Sequence, residues 1–174
     1  MGMSVMTKSK LAVPALIVAS FSFASAAAAE TWVYKEVTDK FTDKKHVIAT
    51  NNGLALSGRE AFKLSFECRN GREFVFTLDA GHRLGEKKDG FKFYYRADGQ
   101  RTQKVRMVTF TNSNTGGMNK IDAVDIANDF LNADRLIVRA VSADNDEYDA
   151  EISLDGAYSS IVRTVVACGM SIAG

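Results

Sequence analysis

The side chains best suited to nucleophilic or metal chemistry are scarce in this chain: two cysteines, Cys68 and Cys168, and two histidines, His46 and His82. A cysteine nucleophile needs a base within hydrogen-bond reach, and a zinc site needs several ligands, usually at short paired spacings. Neither pattern is present in the sequence. His46 stands beside lysines at the start of a short apolar run and reads as a solvated strand-end residue. His82, between Gly81 and Arg83, reads as a loop residue. Two groups of acids invite a cation reading. Asp122, Asp125 and Asp129 fall over successive turns of a helix, so they read as its wet face. Asp144, Asp146 and Asp149 lack the glycine and the closing glutamate of a calcium loop. Asn112 to Gly117 (NSNTGG) lacks the Gly-Lys-Ser/Thr ending of a phosphate cradle and reads as a turn-forming polar loop. From the residues alone we expect no catalytic, cofactor-binding or metal-binding set.

The cysteines have a simpler use once the first residues are considered. Lys8 and Lys10 precede the apolar run Leu11 to Ala24, which passes into Ala24-Ser25-Ala26 and three further alanines before Glu30. A charged start, a short apolar centre and small residues at the end are the pattern of a secretory signal. We therefore expect residues 1–29 to be cleaved and residues 30–174 to form a single exported β-rich domain, periplasmic or secreted, with no transmembrane anchor. Cleavage removes two lysines and leaves 20 basic against 21 acidic side chains. In an oxidising compartment, Cys68 and Cys168 are expected to form a disulfide.

The elements that must carry this bridge follow from periodicity. Period-two patterns predict strands over Thr31 to Val37, His46 to Thr50, Phe62 to Glu67, Glu73 to Leu78, Phe91 to Arg96, Gln103 to Thr111, Leu136 to Val141 and Ala150 to Leu154. Asn70-Gly71 and Asp98-Gly99 are hairpin turns, and Asn51-Asn52-Gly53 is another turn. Cys68 continues the inward series Phe62, Leu64, Phe66, so its sulfur should meet a C-terminal helix. Helical spacing appears over Asp122 to Asn132, with Asp122 as its N-cap. It appears again around Ile161-Val162 and Val165-Val166, with Tyr158 and Cys168 near the same face, Asp155 or Ser159 as a cap and Gly169 as a stop. The fold expected is α+β and mostly β: an antiparallel sheet or sandwich of about seven to eight strands, two helices near the C-terminus, and one disulfide between elements.

Charge is unevenly spread. Arg83 to Arg106 holds eight basic and three acidic side chains, whereas Asp122 to Glu151 holds two basic and nine acidic. The two regions either face each other or solvent, or the first forms a basic patch for an anionic envelope polymer. Nucleic acid is not expected in this compartment, despite Tyr94 and Tyr95 among the basic residues.

Four places in the chain carry a resemblance. They are Trp32-Val33 just after the signal, LSFECRNGREFVFTL at Leu64 to Leu78, FYYRADGQ at Phe93 to Gln100, and the helix, strand, hairpin and helix that close on Ala167-Cys168-Gly169. This order resembles the VasI/TagO family of periplasmic proteins associated with type VI secretion, and related exported proteins. The pattern departs from the family's between Arg101 and Lys120, where no tryptophan-containing strand occurs. The resemblance implies a noncatalytic envelope accessory in which Cys68 and Cys168 form the structural bridge; an envelope protein or anionic envelope polymer is the partner we expect. The competing expectations are an exported hydrolase or enzyme inhibitor with a surface site, and a phage or prophage envelope protein.

Overall fold

A computed structural model describes residues 31–51, 62–111, 113–118 and 120–172; of Lys120 and Ile121 only the backbone is described. The expected signal segment and the Asn52-Gly53 turn lie outside these residues. The strands are β1 (Trp32–Thr38), β2 (Lys45–Asn51), β3 (Lys63–Arg69), β4 (Glu73–Asp79), β5 (Gly90–Ala97), β6 (Gln103–Thr109), β7 (Thr115–Met118), β8 (Arg135–Val141) and β9 (Glu147–Ser153). Helix α1 (Lys120–Leu131) follows β7, and α2 (Ala157–Ala167) follows β9. All nine strands form one antiparallel sheet, in the order β1-β2-β3-β4-β7-β6-β5-β8-β9. The expected α+β, mostly β fold is therefore a single sheet.

The turns are those the sequence calls for. Asn70 and Gly71 have φ values of 55° and 66°, and Arg72 N–H donates to the Arg69 carbonyl at 3.2 Å, closing the β3–β4 hairpin in the mirror-image turn that Asn-Gly favours. At the β5–β6 hairpin, Gly99 takes φ 63° and Gln100 N–H donates to Ala97 O at 2.9 Å.

The strand not expected from the sequence, β7, occupies part of the stretch read as a loop. Gly116 and Gly117 pair with β4 on one side and β6 on the other, and aromatic rings lie where their side chains would be. A β-carbon on Gly116 would stand 2.2 Å from Phe91 Cε1, and one on Gly117 2.5 Å from Phe110 Cζ.

One face of the sheet buries the core. Leu64, Phe66 and Cys68 of β3 share it with Phe74, Phe76 and Leu78 of β4 and with Phe91, Phe93 and Tyr95 of β5. Both helices pack on this face. Phe130 of α1 meets Trp32, Phe66, Phe76 and Tyr95 edge-on at centroid distances of 5.5 to 6.3 Å. Such contacts are worth about 0.5–1.5 kcal/mol each beyond burial. Helix α1 begins two residues before the predicted start, so Asp122 lies in its first turn, favourable to the helix dipole, and is not the cap. Asp129 also departs from the predicted wet face: it is half-buried and accepts a hydrogen bond from Tyr95 Oη at 2.7 Å.

Helix α2 buries Ala157, Ser160, Ile161, Thr164 and Val165, continuing to Cys168 at its C-cap. Tyr158 and Val166, expected near this face, are 66% and 64% exposed. The apolar pairs marked the helix, but its inner stripe also runs through Ser160 and Thr164. Thr164 Oγ1 donates to the Ser160 carbonyl at 2.9 Å, which lets a hydroxyl sit in the core. Gly156, with φ 77°, occupies the N-cap in place of Asp155 or Ser159. Gly169 ends the helix as expected: at φ 66° it donates to Val166 O, while Met170 N–H donates to Val165 O, a Schellman pair of bonds. Cys168 reaches Cys68 in the expected disulfide, with S–S 2.05 Å and Cα–Cα 5.5 Å.

Candidate functional site

The pleat sorts the side chains of β5 between the two faces of the sheet. Phe91, Phe93, Tyr95 and Ala97 turn inward and are buried, which turns Lys92, Tyr94 and Arg96 outward. Register then sets these outward residues in rows. Lys92 stands opposite Arg106 of β6 and Val141 of β8, Tyr94 opposite Lys104 and Arg139, and Arg96 opposite Ile137. On β9, Glu147 lies beside Val141, Asp149 beside Arg139, and Glu151 beside Ile137. The outer face thus passes from two basic columns, on β6 and β5, through a mixed column on β8 to an acidic column on β9.

The acidic column is largely occupied by its own arginines. Arg139 Nε and Nη2 donate to the two Asp149 carboxylate oxygens at 2.6 and 2.7 Å, and Nη1 lies 2.6 Å from Glu147. The Asp149 hydrogen bond and charge, with Glu147 behind them, raise the Arg139 pKa above its ordinary value. Arg135 meets Glu151 at 2.8 Å. Arg83 pairs with Glu86 and, at 2.8 Å, with Asp144, so here a base of the basic region does face an acid of the acidic one.

The basic columns are different. Among the described residues, none of Lys92, Arg96, Lys104 and Arg106 has a carboxylate within ion-pair distance. Lys104 Nζ instead lies 5.7 Å from the Tyr94 ring centroid, a cation–π contact worth about 0.5–1 kcal/mol when exposed. Beside these columns runs a cleft of about 480 Å³, bordered by Lys92, Tyr94 and Arg96 on one side and by Arg139 with its partners Glu147 and Asp149 on the other.

A second polar cluster lies elsewhere on the outer face. Glu67 Oε2 accepts from Arg69 Nε and Nη2 at 3.0 and 2.8 Å and sits 3.2 Å from His46 Nε2, while Glu67 Oε1 accepts from Thr77 Oγ1 at 3.2 Å. His46 is therefore held against a carboxylate, a correction to the solvated strand end. Histidine, carboxylate and hydroxyl do meet, but in an order unsuited to a nucleophile. The hydroxyl reaches the carboxylate and not the imidazole, so the imidazole is not placed to take its proton. Nearby, Ser65 Oγ donates to Thr50 Oγ1 at 2.8 Å, and Thr50 Oγ1 to Leu64 O at 3.0 Å. Both hydroxyls are engaged within the fold. His82 stacks on Tyr148 with ring centroids 4.6 Å apart, remote in the fold from the first histidine's cluster.

Among the described residues no group of three or more His, Cys, Asp or Glu is placed to hold a metal ion, and no helix is long and apolar enough to cross a membrane. No protein-family model, curated protein or solved structure matches this chain.

Counting charges along the sequence located the basic stretch but not its surface. The alternation FKFYYR already separates Lys92, Tyr94 and Arg96 from the apolar residues between them. What it lacked was the partner register, which adds Lys104 and Arg106 and brings in Arg139 already paired.

Proposed function

We propose that this protein is an exported, noncatalytic binding module of the cell envelope, and that the outer face of β5 and β6 takes an anionic envelope polymer. The observation that carries this reading is the Lys92–Arg106 rung. Like charges directly opposite on neighbouring strands destabilise a sheet, and here they stand without a carboxylate in reach among the described residues. A bound anion removes that repulsion. Tyr94, between Lys92 and Arg96 in the β5 column, supplies an aromatic platform of the kind that sugar rings and other flat groups stack on. The disulfide and the signal-like first residues support an exported setting. An accessory role in type VI secretion is the narrower form of the same reading and rests on the four motifs quoted above.

The test is affinity of the mature protein for an immobilised polyanion, dextran sulfate or polygalacturonate, across a salt series. Binding should weaken as salt rises, because exposed charges are screened. Lys92→Gln with Arg96→Gln should reduce it at least tenfold, while Arg83→Gln, already ion-paired, should leave it nearly unchanged. Equal effects of the two changes, or no binding to either polymer at low salt, would discard the assignment.

A further inference from the structure

Resting on the polyanion reading, we infer that Gly90 is a seat that fixes the Arg106 guanidinium, so that Arg106 and Lys92 together form an ordered oxyanion site and not merely a diffuse positive field. Gly90 begins β5, faces outward with Lys92, and pairs with Val108 of β6. Its φ is not among the positive values, so the backbone there does not require glycine. The side chain of Arg106 occupies the space that the glycine leaves. A β-carbon at position 90 would lie 2.7 Å from Arg106 Nη2, 2.8 Å from Nε and 3.1 Å from Cζ. The guanidinium therefore lies across the Gly90 α-carbon, bridging from β6 to β5 beside the Lys92 rung.

Arg106 is exposed and stands opposite Lys92, and its guanidinium lies along the sheet over Gly90. The arrangement suits a ligand. A guanidinium already confined to one site loses less rotamer freedom on binding, and its planar fork presents paired donors to two oxygens of a phosphate, sulfate or carboxylate group. Lys92 adds a point charge from the neighbouring strand. The ligand class is a polymer bearing repeated oxyanions, one of which sits at the Arg106–Lys92 rung.

Gly90→Ala tests this without changing net charge. The atoms it would displace are the flexible end of a side chain, so the variant should fold and melt close to wild type. The measured quantity is the dissociation constant for dextran sulfate and, separately, for long-chain inorganic polyphosphate, at low and moderate salt. Gly90→Ala should weaken binding about tenfold, the loss expected when an ordered side chain must be immobilised anew. Arg106→Lys should weaken it comparably, although the charge is kept, and Gly90→Ala should add nothing in an Arg106→Gln background. Wild-type affinity in both Gly90→Ala and Arg106→Lys would overturn the seat while leaving the polyanion reading intact, provided Lys92→Gln with Arg96→Gln still reduces binding. A Gly90 effect that persists fully without Arg106 would also overturn it. Absence of wild-type binding to any polyanion removes both proposals together. Should Gly90→Ala not fold, Arg106→Lys alone decides.

Discussion

Tyr94 and Tyr95 sit side by side in the chain, and the pleat of β5 sends one out against Lys104 and the other into the core against Asp129. Tyr95 is 4% exposed, and its phenol is pushed far above its ordinary pKa of 10.0, first by burial and then by the hydrogen bond to Asp129 and the charges of Asp129 and Asp125. The native state thus keeps a proton that the unfolded chain releases near pH 10. Stability contributed by this group is present in full below that pH. Above it the unfolded state binds fewer protons, and stability falls by up to about 1.4 kcal/mol per pH unit. Tyr95→Phe should cost about 2 kcal/mol at neutral pH, as for a hydrogen bond to a charged acceptor, and should flatten the alkaline decline. Urea titrations at pH 7.5, 10 and 11 measure both. An equal alkaline slope in wild type and Tyr95→Phe would show that another group sets it.

Elements defined by a repeat were legible in the sequence, and those defined by a neighbour were not. Leu64, Phe66 and Cys68 alternate, and that alternation alone aimed the sulfur inward; Asn70-Gly71 and Gly169 need only local backbone conformation. Strand β7 is only four residues long and half glycine, with no side-chain pattern to reveal it. It is a strand because β4 and β6 pair with it on either side, and Phe91 and Phe110 fill the space above Gly116 and Gly117. Asp129 looked like part of a wet helix face because its partner phenol comes from β5, 34 residues earlier. The basic face was half visible for the same reason, since Lys92 and Arg96 follow from one strand while Arg106 requires the register of two. Helix α2 shows how a local reading gains a long-range consequence. Its C-cap is tied to β3 across 100 residues of chain, a loop whose closure is worth about 4–5 kcal/mol by chain entropy alone, with about 2–5 kcal/mol typical on removal. Cys68→Ser and Cys168→Ser should lower stability by similar amounts, because either deletes the same cross-link. Thiol reduction of the wild type should reproduce the loss. Clearly unequal melting temperatures for the two variants would mean that one cysteine contributes something other than the bridge.

At the scale of the whole molecule, the sheet must manage its two ends. The outermost strands in the order, β1 and β9, approach at one corner. Trp32 N–H donates to Asp155 O, just beyond β9, at 3.0 Å, and its indole Nε1 donates to Ser153 O, the last residue of β9, also at 3.0 Å. Thr31 Oγ1 adds bonds to Ser153 O at 3.2 Å and to Asp155 O at 3.0 Å. The sheet therefore curls around α1 and α2 until its first strand reaches its last, and the fully buried Trp32 ring fills the corner against Phe66 and Phe130. Closing the corner limits the exposed edge that could recruit another chain, and Glu147, Asp149 and Glu151 place charge along the rest of β9. If this closure is cooperative, Trp32→Ala should do more than cost the about 3–5 kcal/mol of a large core truncation. Backbone hydrogen exchange should accelerate together in Trp32–Thr38 and in Glu147–Ser153, two segments more than a hundred residues apart, while β3 and β4 in the middle of the order stay protected. Trp32→Phe, which keeps a ring but removes the indole donor, should fall between, losing about 1 kcal/mol because Thr31 still bonds Ser153 O. Faster exchange in β1 with β9 unchanged would mean that the corner merely covers the core and does not join the two ends of the sheet.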